Sequence, residues 1–489
     1  MNEPIRPNGF SMRPNGFSKP VGSRSTSGLV TCWACLVLLL LLAVPAAAQV
    51  ASTPEQRFFD WTALQFDKEV YAQRRVRLMR ALEEAGGGIF LAPSAHGVSH
   101  GPTFRQLDDF LYFTGLELPQ SLLVIDADAA TTILFTPGRD ARFESAARPN
   151  DFPGRPLGDD PELDRRASIA DIRPYEDLDA AVTAWVGQQR VLWLNPGRGA
   201  ITPLKTDFMV DWNPTQALLF HLQQTYPAAR IQNAYAAVAR LRMIKGAEEI
   251  DVMRRVCALT AEAIREAAGF IHDGVDERAL EAELEAVYKR GGAQRLAFSS
   301  IIKSGPNSLW PWRILAAHND RRNRPMHDGD LVIFDVGTEL DHYVSDVGRT
   351  FPVSGRFTPA QRRTLAMTTA VSDAIIAAVR PGITLAELTE VARAAIPPDE
   401  RKYMQTGSFF GHHIGLNVGD PSLLDEPLAP GMIFTVEPWY YNHDREISVF
   451  LEDVILVTED GAEVLTASLP RSPEALEELV QPLRDADQH

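Results

Sequence analysis

The chain has 489 residues, enough for two or three domains of ordinary size. Hydrophobic residues make up 45% and charged residues 23%, which excludes a wholly disordered, collagen-like or polytopic membrane protein. Asp and Glu number 64 against 48 Lys and Arg, a formal net charge of -16 that argues against nucleic acid or an anionic membrane surface as partner.

The chain opens on a targeting segment. Arg13, Lys19 and Arg24 precede an uncharged apolar stretch from Leu29 to Ala43, and Pro45 is followed by Ala46-Ala47-Ala48-Gln49. A positive flank, an apolar run and an A-x-A site form a secretory signal, residues 1–48, cut after Ala48. The expected product is secreted or periplasmic, with no stable membrane insertion. Left uncut, the run from Leu29 to Ala48 is long enough to serve as an anchor. The stretch Arg6 to Ser11 recurs at Arg13 to Ser18, so Met12 is an alternative start to Met1. Cys32 and Cys35 fall inside the leader, which leaves Cys257 alone. No intrachain disulfide can form, and Cys257 reads as a small buried residue.

Two α/β domains follow, over residues 66–241 and 246–480. In the first, Arg74 to Glu84 has a helical pattern ended by Gly86-Gly87-Gly88, and Ile89 to Leu91 is a short strand. Ser121 to Ile125, Thr131 to Phe135 and Val191 to Leu194 are further strands, and Pro149 to Arg165, rich in Pro, Gly and charge, is a loop. After Lys245-Gly246, the spacing of Ile250, Met253, Cys257, Ala261 and Ile264 gives a helix one apolar face. Thr358-Pro359-Ala360-Gln361 starts another helix, with Thr as cap, Pro in the first turn and Gln at the capping-box position. Leu331 to Val336, Tyr343 to Thr350, Met432 to Val436 and Ile447 to Val457 are strands. The run Arg321-Arg322-Asn323-Arg324 reads as a solvated loop, and Trp310 and Trp312 as packing or pocket wall.

Four acids interrupt these apolar strands. Asp335 sits in Val332-Ile333-Phe334-Asp335-Val336, and Asp346 in Tyr343-Val344-Ser345-Asp346-Val347. An ungapped hairpin centred between Leu340 and Asp341 places the two opposite each other, with Cβ atoms ~4.5–5.5 Å apart. Glu437 ends Ile433-Phe434-Thr435-Val436, and a hairpin centred between Asp444 and Arg445 places it opposite Glu452. Opposed carboxylates in a poorly solvated site require protons or cations between them. With an imidazole from His412 or His413, the donor set suits divalent metal: carboxylates favour Mn or Mg, and imidazole admits Zn, Co or Fe. No H-E-x-x-H, G-x-S-x-G or P-loop motif competes with this reading.

Asp335, Asp346, His412, Glu437 and Glu452 resemble, in order and approximate spacing, the five ligands of the pita-bread dinuclear metallopeptidases. Thr435-Val436-Glu437-Pro438 and Leu451-Glu452-Asp453-Val454 are similar to that family's glutamate motifs, and His318 lies ahead of Asp335 as its catalytic histidine does. The segment from Arg105 to Gly115, RQLDDFLYFTG, resembles the N-domain signature of the aminopeptidase P branch. The resemblance implies an α/β (α+β) chain with a creatinase/aminopeptidase-P-like N-terminal domain followed by a pita-bread catalytic domain. It implies two divalent ions, Mn2+ before Zn2+, Co2+ or Fe2+, with Asp346 and Glu452 bridging, Asp335 completing one ion, and His412 with Glu437 the other. It also implies a metal-held hydroxide as nucleophile, Glu437 as proton shuttle, and His318 hydrogen-bonded to substrate or tetrahedral intermediate. The implied substrate is a peptide with proline in second position, and the implied assembly a homodimer or homotetramer.

Three positions depart from the family. Gly419 and Ser408 stand where it commonly has further histidines, and Phe450 where it commonly has arginine. The stretch Ser308 to Leu315 before His318 is longer than usual, and His413 is a candidate replacement for a lost imidazole. These departures keep open an Xaa-Pro dipeptidase, another amide or ester hydrolase, and a non-catalytic binding protein on the same fold. For the leader the expectation is direct: N-terminal sequencing of the exported protein reads Gln49 first, and a chain retaining its apolar stretch would contradict cleavage.

Overall fold

The computed structural model describes residues 66–96, 104–137, 161–199, 201, 212–310, 323–404 and 411–480. The leader, His318, Trp312 and Ser408 lie outside these residues. No helix among the described residues is long and apolar enough to cross a membrane.

Strands β1 (Ile89–Pro93), β2 (Leu122–Asp126), β3 (Thr131–Thr136), β4 (Asp171–Pro174), β5 (Val191–Leu194) and β6 (Arg230–Asn233) form one mixed sheet. Its order is β4-β3-β2-β1-β5-β6. Helices cover both faces, so the central strands are apolar at every position rather than at alternate ones. Phe90, Leu123, Ile125 and Leu134 pack on one side with Tyr71, Leu78 and Leu82 of the helix Lys68–Glu84. Ile89, Leu91, Val124 and Phe135 pack on the other with Val182, Trp185, Leu219 and Leu222. One part of the expected loop from Pro149 to Arg165 is instead helical, as Pro161–Ala167. Proline is favoured in a first turn, and Leu163 and Ala167, four residues apart, are fully buried beneath a charged surface.

The remaining strands are short. They are β7 (Arg295–Leu296), β8 (Ile301–Ser304), β9 (Leu331–Val336), β10 (Thr338–Leu340), β11 (Tyr343–Val344), β12 (Val347–Pro352), β13 (Ile433–Val436), β14 (Trp439–Asn442), β15 (Ile447–Phe450), β16 (Asp453–Val457) and β17 (Ala462–Val464). They build the sheets β12-β9-β8, β11-β10-β7, β13-β16-β17 and β14-β15. Helices Ala247–Ala268, Glu277–Arg290 and Pro359–Ala378 supply much of the core behind them. The helix at Pro359 starts as its sequence predicts, with Thr358 and Gln361 capping each other's backbone N–H groups.

The two acid-bearing hairpins keep one register on each side of a break. In the second, Ile433 pairs Leu456, Val436 pairs Asp453 and Trp439 pairs Phe450, so Glu437 and Glu452 are in register as expected. The first differs from expectation. Asp335 pairs Gly348, and Leu340 pairs Tyr343, so the turn is Asp341-His342. Both turn residues are left-handed, with φ of 48° and 68°, as a two-residue turn of type I′ requires. The partner of Asp335 therefore shifts by two residues, which keeps Asp335 and Asp346 on the same face because side chains alternate with period two. The stretches Tyr343 to Thr350 and Ile447 to Val457, each expected as one strand, are each broken at the acid, where the chain passes between sheets. Arg324, expected in a solvated loop, bonds Asp330 at 2.7 Å and Ser304 at 2.9 Å.

Buried charge ties the N-terminal sheet to the later strands. Arg74 is fully buried, stacks over Tyr112 at 4.1 Å and pairs with Glu249 at 3.1 Å. Glu249 also accepts the Tyr343 hydroxyl at 2.9 Å and the Gly246 N–H at 2.9 Å. Arg242 binds Asp109 at 2.9 Å, Asp108 at 3.2 Å and Asp420 at 2.5 Å. Arg74→Met is expected to cost about 3–5 kcal/mol, because it strands the buried Glu249 carboxylate. Urea unfolding checks this, and an unchanged midpoint and slope would contradict it.

Candidate metal centre

The site forms where five stretches of chain converge. Asp335, next to last in β9, pairs with Gly348 of β12, and Gly348 in turn exchanges backbone hydrogen bonds with Glu452 at 3.0 and 3.3 Å. Glu452 faces Glu437 across the second hairpin. The stretch holding His412 and His413 runs beside β13: the Thr435 N–H donates to the His412 carbonyl at 3.0 Å, and His413 bridges Phe434. That approach depends on Gly411, where a Cβ would lie 2.2 Å from the Glu437 carboxylate.

The four acids and His412 come together. Asp335, Asp346 and Glu452 each offer an oxygen, all within 4.8 Å of one another. His412 Nε2 lies 3.3 Å from Asp346 Oδ2, and Glu437 interacts electrostatically with Asp346 and His412. Asp335, Asp346 and Glu452 are buried, whereas Glu437 is only partly so. His318 lies outside the described residues. His413 does not join the others. Adjacent residues of an extended stretch face opposite ways, and the His413 ring is buried against Phe434, with Lys245 nearby.

Electrostatics require something to neutralise this cluster. Two unit charges ~4.8 Å apart repel by about 3–4 kcal/mol at an effective dielectric of about 20. Three ionised carboxylates therefore accumulate roughly 10 kcal/mol, comparable to the whole net stability of a domain at about 5–15 kcal/mol. Burial, with the charges of Asp346 and Glu437 beside it, pushes Asp335 well above the usual carboxylate range, and Glu452 is driven up in the same way. Burial and the Asp346 charge raise Glu437 to about 7 against an opposing effect of His412. Burial pulls His412 down, but contact with Asp346 outweighs it and the net shift is upward. Buried Asp335 Oδ2, Asp346 Oδ1, both Glu452 oxygens and His412 Nδ1 have no hydrogen-bond partner. Buried polar atoms are normally paired. A set of orphaned, mutually repelling oxygens beside an imidazole fits divalent cations.

Two supporting groups were missed by the sequence reading. Arg349, fully buried in β12, donates to the Glu452 carbonyl at 2.6 Å and to Asp453 Oδ1 at 2.7 Å, which fixes the backbone carrying Glu452. Its signal was an arginine among apolar strand residues with an acid following the last glutamate. Trp439 is the other, two residues beyond Glu437 at the start of β14. Of the family departures, Gly419 borders a cavity of about 340 Å³ with Asp109, Asn195 and Arg242, and a Cβ there would meet nothing within 4 Å. Phe450 is fully buried and stacks on Trp439.

A pH dependence follows for metal-stripped protein. Between pH 4.5 and about 7, folded Glu437 keeps a proton that the unfolded chain has released. Stability then falls as pH rises through that window. The melting temperature of the stripped chain should drop across it, and divalent cation should restore more at the upper end than at the lower. A stripped chain whose melting temperature rises across the window would contradict this.

The chain matches metallopeptidase family M24 over residues 251–459 and the aminopeptidase P N-terminal domain over residues 71–193. It is 29% identical to Xaa-Pro aminopeptidase of Escherichia coli (strain K12) over 469 residues, 85% of this chain and 98% of the relative. The solved structure of E. coli aminopeptidase P with the inhibitor Pro-Leu superposes with a TM-score of 0.70 at 26% identity, covering 86% of this chain and 99% of that one. Xaa-Pro dipeptidase of Pyrococcus furiosus is 34% identical, over 46% of this chain and 64% of that protein. The N-terminal domain, the later strands with their convergent acids, and relatives aligned over nearly their whole length agree: the chain belongs to the aminopeptidase P branch of the M24 metallopeptidases.

Proposed function

We propose that the chain is a metal-dependent exopeptidase that releases the N-terminal residue from peptides with proline in second position. The observation that carries this reading is the convergence of Asp335, Asp346, Glu437, Glu452 and His412 with buried oxygens left unpaired. Whole-length similarity to Xaa-Pro aminopeptidase favours it over the dipeptidase, whose match is confined to 46% of the chain.

Those five residues would hold two divalent cations. Four carboxylates with one imidazole suit Mn2+. Bound there, such cations lower the pKa of a water and polarise a carbonyl. The rest falls to side chains. Glu437 is the least buried of the four acids and so the one with access to substrate. It takes the proton of the attacking water as oxygen bonds to the scissile carbonyl carbon. It gives that proton to the proline nitrogen as the C–N bond breaks. His318, assigned by family resemblance, hydrogen-bonds the substrate or its tetrahedral oxyanion. The leader would export the chain to the cell exterior or periplasm.

The test is hydrolysis of an Xaa-Pro-Xaa tripeptide and an Xaa-Pro dipeptide by the purified chain. Tripeptide cleavage should stop with EDTA and return with Mn2+. Asp346→Ala should lower kcat/KM by more than about 100-fold, since loss of a ligand exceeds the 10–100-fold typical of its outer partners. Cleavage of the dipeptide alone would move the assignment to the dipeptidase. Silence on both substrates in metal-loaded protein would contradict peptidase function.

A further inference from the structure

The second hairpin carries an aromatic device beside the acids. Trp439 and Phe450 are cross-strand partners in β14 and β15. They stand two residues from Glu437 and Glu452 respectively, where the chain passes from β13 to β14 and from β15 to β16. Their rings stack with centroids 3.5 Å apart and planes 19° from parallel. Tyr441 stacks on the other neighbour position of Trp439 at 5.4 Å and 13°. Trp439 is 3% exposed and Phe450 0%, and both pack with Ile333, two residues before Asp335. The clamp thus touches both acid hairpins.

Phe450 is fixed from two sides. The Thr350 hydroxyl accepts the Phe450 N–H at 2.9 Å and donates to its carbonyl at 2.8 Å. Its ring lies over Gly348, where a Cβ would come within 2.2 Å of the ring. Gly348 is the residue paired with Asp335 on one side and Glu452 on the other. A buried tryptophan places its N–H on a partner, and the Trp439 side chain hydrogen-bonds the Glu437 carboxylate.

We propose that Trp439 is a positioning residue for Glu437, locked against it by Phe450, and that this clamp sets the affinity of the divalent cation Glu437 holds. The proposal rests on the dinuclear reading above. It gives Phe450 a role in place of the family's arginine: an apolar ring holds Trp439, and Trp439 holds the acid. With the stack in place Glu437 has one carboxylate orientation. Without it the acid is free to turn away from the cation and from the departing nitrogen.

The test is Mn2+ calorimetry on the EDTA-stripped full chain, with steady-state kinetics alongside. Trp439→Phe keeps a ring in the stack and removes the N–H. The weaker of two Mn2+ sites should lose about 10–100-fold in affinity, as outer partners of metal ligands do. The same variant should lower kcat by a similar factor with KM within about twofold. Gly348→Ala should reproduce both effects without altering an acid or an aromatic residue. If circular dichroism shows Trp439→Phe unfolded, Phe450→Leu replaces it, with a smaller loss expected in the same direction. Wild-type affinity and kcat in a folded variant would overturn the clamp while leaving the centre intact. A wild-type chain that binds no Mn2+ would overturn the centre and the clamp together.

Discussion

Mutual repulsion among buried carboxylates is the constraint on which the later half of this fold depends. Asp335, Asp346 and Glu452 are placed where water cannot screen them, within 4.8 Å of one another. The like-charge cost at that spacing is comparable to the net stability of a domain. The surrounding structure is arranged to hold the acids in place regardless. Arg349 grips the backbone on both sides of the crossing, through the Gly348 and Glu452 carbonyls. Asp453, next along, is tied to Arg349 and to Thr466. The scaffold supplies positive charge behind the acids and leaves their side-chain oxygens unpaired in front. That division suits a site whose positive charge arrives from solvent as cations.

The N-terminal sheet is coupled to this centre by buried ions rather than by apolar contact alone. Asp420 is a convenient example. Its N–H donates to the His413 carbonyl at 3.1 Å, so it closes the loop that follows His412. Its carboxylate takes Arg242 and Lys245, and Arg242 reaches Asp108 and Asp109 of the N-terminal segment. A buried ion network contributes little net stability against well-packed apolar residues. It does impose one geometry, because any other leaves a charge unpaired. The position of His412 therefore depends on residues three hundred positions earlier in the chain.

How much of this was legible in the sequence follows from which interactions are local. Asp335, Asp346, Glu437 and Glu452 stood out because ionisable residues are rare inside apolar strands. The register of the second hairpin followed from counting, since its strands carry no bulge. The first hairpin was centred one residue early, because the left-handed preference of Asp341-His342 was not weighed against a longer turn. The site survived that error because a two-residue shift of partner preserves the face. What sequence did not reveal was convergence: Gly348 meets Glu452 and Arg74 meets Glu249 across more than a hundred residues. A buried arginine also reads like any surface arginine on a helix. The helix at Pro161 was hidden for a related reason, a charged face over two buried residues.

The central claim is that these five side chains hold two divalent cations, and diffraction tests it most directly. Crystals grown with Mn2+ and measured for anomalous scattering should show two peaks roughly 3.5–4 Å apart. Both should lie among Asp335, Asp346, His412, Glu437 and Glu452. An absence of peaks there in Mn2+-saturated crystals, with the acids paired to protein donors instead, would contradict the account.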